Sequence, residues 1–206
     1  MKRFSELMSG QVLLPIIQAC TVNEGVLVAK AMADAGLNSV EVVLRTPVSL
    51  EALKAIKTEV PTLQVGAGTI LSKQHLDNAM AAGADFIVTP AVSPTLLNAL
   101  KSCEGPVVPG VSTMGEILAA YEAGFRELKL FPATLAGGVK FLNAISSVFQ
   151  EVTFCPTGGV NPDNKREFLA LDNVFAVGGT WVAQKQWIEE GNWPAIISAC
   201  REANSA

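Results

Sequence analysis

The chain has 206 residues, half of them hydrophobic, with 15 lysines and arginines against 19 aspartates and glutamates for a net charge of -4. One domain spanning 1–206 is long enough to bury roughly 70% of its unfolded surface. The acidic balance, with no basic run, excludes a nucleic-acid partner, and no apolar stretch nears the roughly 20 residues that span a bilayer.

The segment Met1–Ser9 is predicted to form a short helix, followed by β-rich runs that alternate with alanine- and leucine-rich stretches of helical period. Strands are expected at Val12–Ala19, Ser39–Leu44, Gln64–Ile70, Phe86–Thr89, Pro106–Val111, Glu127–Phe131, Val152–Cys155 and Val174–Val177. Between them fall helices near 22–36, 47–60, 73–83, 94–102, 113–123, 137–149 and 162–170, with further helical segments near 181–190 and 193–204. Gly36, Gly83 and Gly124 stand where helices close, and Pro47, Pro94 and Pro162 where a first turn tolerates proline. Eight βα units in a row predict a single-domain (β/α)8 TIM barrel whose N-terminal helix covers the bottom, with an open doubly wound sheet as the alternative.

In such a barrel chemistry gathers at the carboxyl ends of the strands. The run Glu127-Leu-Lys-Leu-Phe131 places one ammonium in a strand expected to be buried on both faces. Burial makes a lysine easier to deprotonate, so Lys129 is a candidate amine nucleophile for a carbonyl compound. Side chains alternate along a strand, which puts Lys129 and Phe131 inside and Leu128 and Leu130 outside. In Ser39-Val-Glu-Val-Val-Leu-Arg-Thr46 the same rule sends Glu41 inward, within reach of Lys129, and Arg45 to the mouth. Gly66-Ala-Gly-Thr69 offers two glycines for close ligand approach and a hydroxyl donor at Thr69. Each has a plain structural alternative: a neutralising ion pair, a surface cap, an ordinary strand-end hydroxyl.

The turns Pro156-Thr-Gly-Gly159 and Gly178-Gly-Thr180 follow the last two strands, where backbone N–H groups of a barrel commonly meet a phosphate. The expected contributors are Gly158, Gly159, Gly179 and Thr180. His75, the only histidine, falls on a helix and is read as solvated. The four cysteines, Cys20, Cys103, Cys155 and Cys200, are far apart and form no CxxC pair, so reduced thiols and no metal or other cofactor are expected. Gly66-x-Gly68 lacks the third glycine of a dinucleotide fingerprint.

Val40-Glu-Val-Val-Leu-Arg-Thr46, Gly66-Ala-Gly-Thr69, Leu128-Lys-Leu-Phe-Pro-Ala133 and Pro156-Thr-Gly-Gly-Val160 resemble, in order, the signature segments of the KDPG/KHG aldolases. Met1-Lys-Arg-Phe leads into polar Ser5-Glu6 without a signal-peptide core, which predicts a cytoplasmic protein, and the resemblance implies a homotrimeric class I aldolase of the Entner–Doudoroff pathway. Such an enzyme cleaves 2-dehydro-3-deoxy-6-phosphogluconate to pyruvate and glyceraldehyde 3-phosphate, and in some members 4-hydroxy-2-oxoglutarate to pyruvate and glyoxylate. It implies Lys129 as Schiff-base lysine, Glu41 as general acid/base, Arg45 and Thr69 around the pyruvate portion, and Gly158, Gly159 and Thr180 at the phosphate; inward-facing Phe131 and the turn residue Gly179 complete the expected substrate-binding set. Val43, Leu130 and Thr180 depart from residues common there, which bears on substrate preference rather than reaction type. Three alternatives stand beside it: an aldolase for the galactonate epimer, a sugar-phosphate isomerase or epimerase with Glu41 as base, and a non-catalytic small-molecule sensor.

Overall fold

A computed structural model describes residues 2–205; Met1, the expected start of the N-terminal helix, lies outside the described residues, as does Ala206. The elements are α1 (Phe4–Met8), β1 (Leu13–Ile17), α2 (Val22–Asp34), β2 (Ser39–Val43), α3 (Ser49–Glu59), β3 (Gln64–Gly68), α4 (Lys73–Ala81), β4 (Phe86–Val88), α5 (Pro94–Leu100) and β5 (Val107–Val108). They continue with β6 (Gly110–Val111), α6 (Met114–Glu122), β7 (Glu127–Leu130), α7 (Gly138–Ile145), β8 (Thr153–Phe154), α8 (Lys165–Leu169), β9 (Val177–Gly179), α9 (Lys185–Glu189) and α10 (Trp193–Asn204).

The βα junctions repeat one local device. Thr21, Ser72, Ser93 and Thr113 each turn a side-chain oxygen onto the N–H three residues ahead, at 3.1, 3.1, 3.1 and 3.3 Å, which satisfies one orphan donor of the helix that follows. At the other ends of α2, α4 and α6, Gly36, Gly83 and Gly124 take φ of 88°, 88° and 97°, the left-handed conformation that closes a helix at little steric cost. Pro94 occupies the first turn of α5, whereas Pro47 and Pro162 lie in the connections ahead of α3 and α8.

All strand pairs are parallel, and the sheet is a curled half-barrel of six strands in the order β5-β4-β3-β2-β1-β9, beside a second ladder β6-β7-β8. One continuous eight-stranded ladder, as the sequence predicts, is not what the regular pairing draws. The expected strand Pro106–Val111 breaks at Pro109, which has no N–H to give, and beyond the break the Gly110 N–H turns to Thr89 Oγ1 at 2.9 Å. The expected last strand shifts: Val174 makes only an isolated bridge to Phe154, and the paired run is Val177–Gly179, in register with Leu13–Pro15. Gly178 and Gly179 are thus strand residues rather than the turn their composition suggests.

Two apolar layers hold the sheet. Its convex face, with Val40, Val42, Leu128 and Leu130, packs under the helices, while Leu14, Phe86, Val88, Val108, Cys155 and Ala176 meet Phe4 and Met8 of α1 at the amino-terminal end. Phe4 lies 4.4 Å, centroid to centroid, from Phe86, so α1 does cover the bottom. Buried Gln11 ties β1 to β2 by accepting from the Asn38 and Ser39 N–H groups at 2.7 and 3.0 Å and donating to the Ser39 carbonyl at 2.9 Å. No helix among the described residues is long and apolar enough to cross a membrane.

Candidate active site

Register brings the two interior ionisable groups together. Glu41 of β2 lies opposite Ile16 on one side and Gly66 on the other, and Lys129 of β7 lies opposite Gly110. Glu41 is fully buried and Lys129 is 4% exposed, with Lys129 Nζ 3.3 and 3.5 Å from the two Glu41 oxygens. These are the only hydrogen bonds either side chain makes among the described residues, so the pair is electrically balanced yet loosely held. The Phe131 ring lies 5.4 Å from the ammonium and lines the space above it.

The floor is inert. Burial pushes the neighbouring Cys155 thiol up to about 12, against the opposing pull of the Lys129 ammonium, so that sulfur stays protonated. The four cysteines are free, and no cluster of three or more His, Cys, Asp or Glu that could hold a metal occurs among the described residues. His75 is half-buried on α4, its Nδ1 accepting the Leu71 N–H at 3.4 Å.

Arg45 and Thr69 sit at the carboxyl ends of β2 and β3. Arg45 Nε donates to Thr69 Oγ1 at 3.0 Å, which leaves the terminal guanidinium nitrogens and the Thr69 hydroxyl proton free for an incoming carboxylate. Thr69 takes φ of 63°, a left-handed conformation costly for a β-branched residue and typical of ligand sites. The glycines ahead of it serve side chains rather than a ligand. A Cβ on Gly66 would lie 2.1 Å from the Phe86 ring, and one on Gly68 2.0 Å from Glu41 Oε1.

The loop after β8 carries Gly158 and Gly159 at φ of 90° and 82°. Their carbonyls are engaged, by the Thr134 N–H at 3.2 Å and by Asn164 Nδ2 at 3.0 Å, while neither N–H finds an acceptor among the described residues. A side chain on Gly159 would also strike Thr134. Two free N–H groups on one turn suit an anion. Gly179 ends β9 opposite Pro15, and the Trp181 ring fills the place of its Cβ; Thr180 beside it is exposed.

The sequence reading therefore names side chains that the fold does bring together: Glu41 and Lys129 in one contact, Arg45 and Thr69 in another, Phe131 above the lysine. It misses Cys155 below them, whose place depends on the register of β7 with β8, and the service Gly68 gives to Glu41.

The family model for KDPG and KHG aldolase matches residues 5–199. The chain belongs to the KDPG and KHG aldolase family. It is 41% identical to the KHG/KDPG aldolase of Escherichia coli K12 over 199 residues, which cover 97% of this chain and 93% of that relative. A KDPG aldolase from Legionella pneumophila, solved with pyruvate captured as a covalent carbinolamine intermediate, superposes with a TM-score of 0.95 at 35% identity over 99% of both chains. The KDPG aldolase of Zymomonas mobilis ZM4, solved with 3-phosphoglycerate, gives 0.88 at 33% identity, covering 97% of this chain and 94% of that one. Membership of this aldolase family makes the chain a carbon–carbon lyase.

Proposed function

We infer that the chain is a class I aldolase that cleaves 2-dehydro-3-deoxy-6-phosphogluconate to pyruvate and glyceraldehyde 3-phosphate, and 4-hydroxy-2-oxoglutarate to pyruvate and glyoxylate. The observation that carries this reading is a buried lysine whose only partner among the described residues is a buried carboxylate 3.3 Å away. Passing the Lys129 proton to Glu41 leaves a neutral amine, which attacks the C2 ketone. Glu41 then protonates the carbinolamine hydroxyl, water leaves, and a protonated imine forms. Glu41, again a carboxylate, takes the proton of the C4 hydroxyl as the C3–C4 bond breaks. The bonding pair flows into the imine, giving the enamine of pyruvate and releasing the aldehyde. Return of the proton to C3 and hydrolysis of the imine free pyruvate and restore Lys129.

Arg45 and Thr69 are assigned to the C1 carboxylate and Phe131 to the pyruvate portion, while Gly158, Gly159, Gly179 and Thr180 are assigned to the terminal phosphate. The Gly158 and Gly159 N–H groups, without an acceptor among the described residues, support that last assignment. The fold we infer is one closed (β/α)8 barrel comprising a single domain, residues 1–206. Only Pro109 separates β5 from β6, and Thr157 bridges to Gly178 on the side of β9. A cytoplasmic homotrimer completes the reading.

Borohydride reduction in the presence of pyruvate tests it. One reduced pyruvate should appear on the peptide carrying Lys129, with loss of activity; no adduct, as expected of an isomerase, or one on another lysine sinks the assignment. Comparing kcat/KM for the gluconate-derived substrate, its galactonate epimer and 4-hydroxy-2-oxoglutarate fixes the preferred substrate.

A further inference from the structure

Gly68 owes nothing of its identity to its own backbone. It ends β3 with an ordinary φ, outside the left-handed region that the nine positive-φ glycines from Gly10 to Gly191 occupy, so any residue could take its conformation. The three atoms nearest a Cβ built there all belong to Glu41: Oε1 at 2.0 Å, Cδ at 2.7 Å and Cγ at 2.8 Å. Glu41 is fully buried, and β2 pairs with β3 in a register that sets Val43 opposite Gly68, so the carboxylate leans from its own strand across the end of the next. Gly66 differs, because its missing side chain makes room for the core ring of Phe86.

We propose that Gly68 is a positioning residue for the reaction, its absent side chain being the space that holds the Glu41 carboxylate against Lys129. The proposal rests on the aldolase reading given above. A methyl group at 68 would drive the carboxylate from its place. Lys129 would still reach the imine, more slowly because Glu41 also serves its formation, and proton delivery to and from substrate carbon would suffer, a displacement of about 1 Å costing on the order of 10²-fold in such steps.

The experiment separates the two halves of the chemistry in Gly68→Ala. Borohydride trapping of pyruvate reports the electron sink, and exchange of the pyruvate methyl protons into heavy water reports the relay. The expected result is a full-mass adduct on Lys129 with exchange slowed about 100-fold and KM for pyruvate little changed. Exchange within twofold of wild type overturns the proposal. If Gly68→Ala alone does not fold, Glu41→Ala with Gly68→Ala decides. A double variant that folds and melts with Glu41→Ala shows that the clash is with that carboxylate, and one that also fails to fold refutes it. A wild-type enzyme that forms no pyruvate adduct would instead remove the aldolase reading, leaving the stability comparison to stand by itself.

Discussion

Strand β7 carries two buried ionisable side chains, Glu127 and Lys129, which share a face and are used in opposite ways. Glu127, 8% exposed at the amino-terminal end, accepts from the Phe4 N–H and from the N–H and hydroxyl of Ser5, capping α1. Lys129, more deeply buried at 4% exposed, has only the two long contacts to Glu41 among the described residues. A saturated buried charge fixes structure, because every lone pair is spoken for and any displacement loses several bonds at once. An under-saturated one is free to trade its contact for substrate. Burial alone does not distinguish the two; the count of partners does.

That contrast breaks most sharply at the lysine. Lys129→Ala should lower kcat by about 10⁴-fold or more, and because it leaves the fully buried Glu41 without its partner it should also lower the melting temperature, a loss that adding Glu41→Gln should partly recover. Steady-state cleavage and thermal melts of the single and double variants check both, and a melting temperature that the second substitution does not raise would make Lys129 a structural charge like its neighbour. Glu41→Gln keeps the shape and loses the proton carrier. Exchange of pyruvate methyl protons should slow by about 10²- to 10⁴-fold with the borohydride adduct still obtained, and wild-type exchange would remove Glu41 from the mechanism.

Glu127→Gln should show the reverse pattern. Loss of the charge-assisted bonds to α1 should cost about 2 kcal/mol, seen as a fall of roughly 4–8 °C in Tm, with kcat of the folded enzyme unchanged. A catalytic defect without a stability defect would erase the distinction between the two residues. The smallest effect belongs to Glu116, which closes the capping box of α6. Burial raises its carboxyl, but donors from Ser112 and Thr113 outweigh that and hold it below the ordinary 4.5. Its folded pKa being depressed, its contribution is present above pH 4.5 and disappears as pH falls through the lowered value. Glu116→Gln should cost about 1 kcal/mol near neutrality and progressively less in acid, as denaturant melts at several pH values would register.

The sequence made the strands of the candidate site legible because alternation is a local property. Once Leu128 and Leu130 face the helices, Lys129 has to face inward, and Val40 and Val42 settle Glu41 in the same way. It did not reveal what lies between strands. The partners of Glu127 and Gln11 are set by packing across 123 and 28 residues of chain, which no local pattern encodes. Glycines misled for a related reason: Gly178 and Gly179 look like a turn and pair as a strand, because the space they leave is taken by Thr157 and Trp181. At Pro109 a continuous apolar run hid a missing donor.

The cap on α1 also bears on the order of assembly during synthesis. Phe4 is made 123 residues before the carboxylate that receives its N–H. Until β7 leaves the ribosome, a five-residue helix has neither a cap nor the completed floor on which Phe4 and Met8 rest. Too short to persist unaided, it has to wait as unstructured chain, so this early-made helix docks late. The strand that brings Lys129 is the same one that closes the base beneath it.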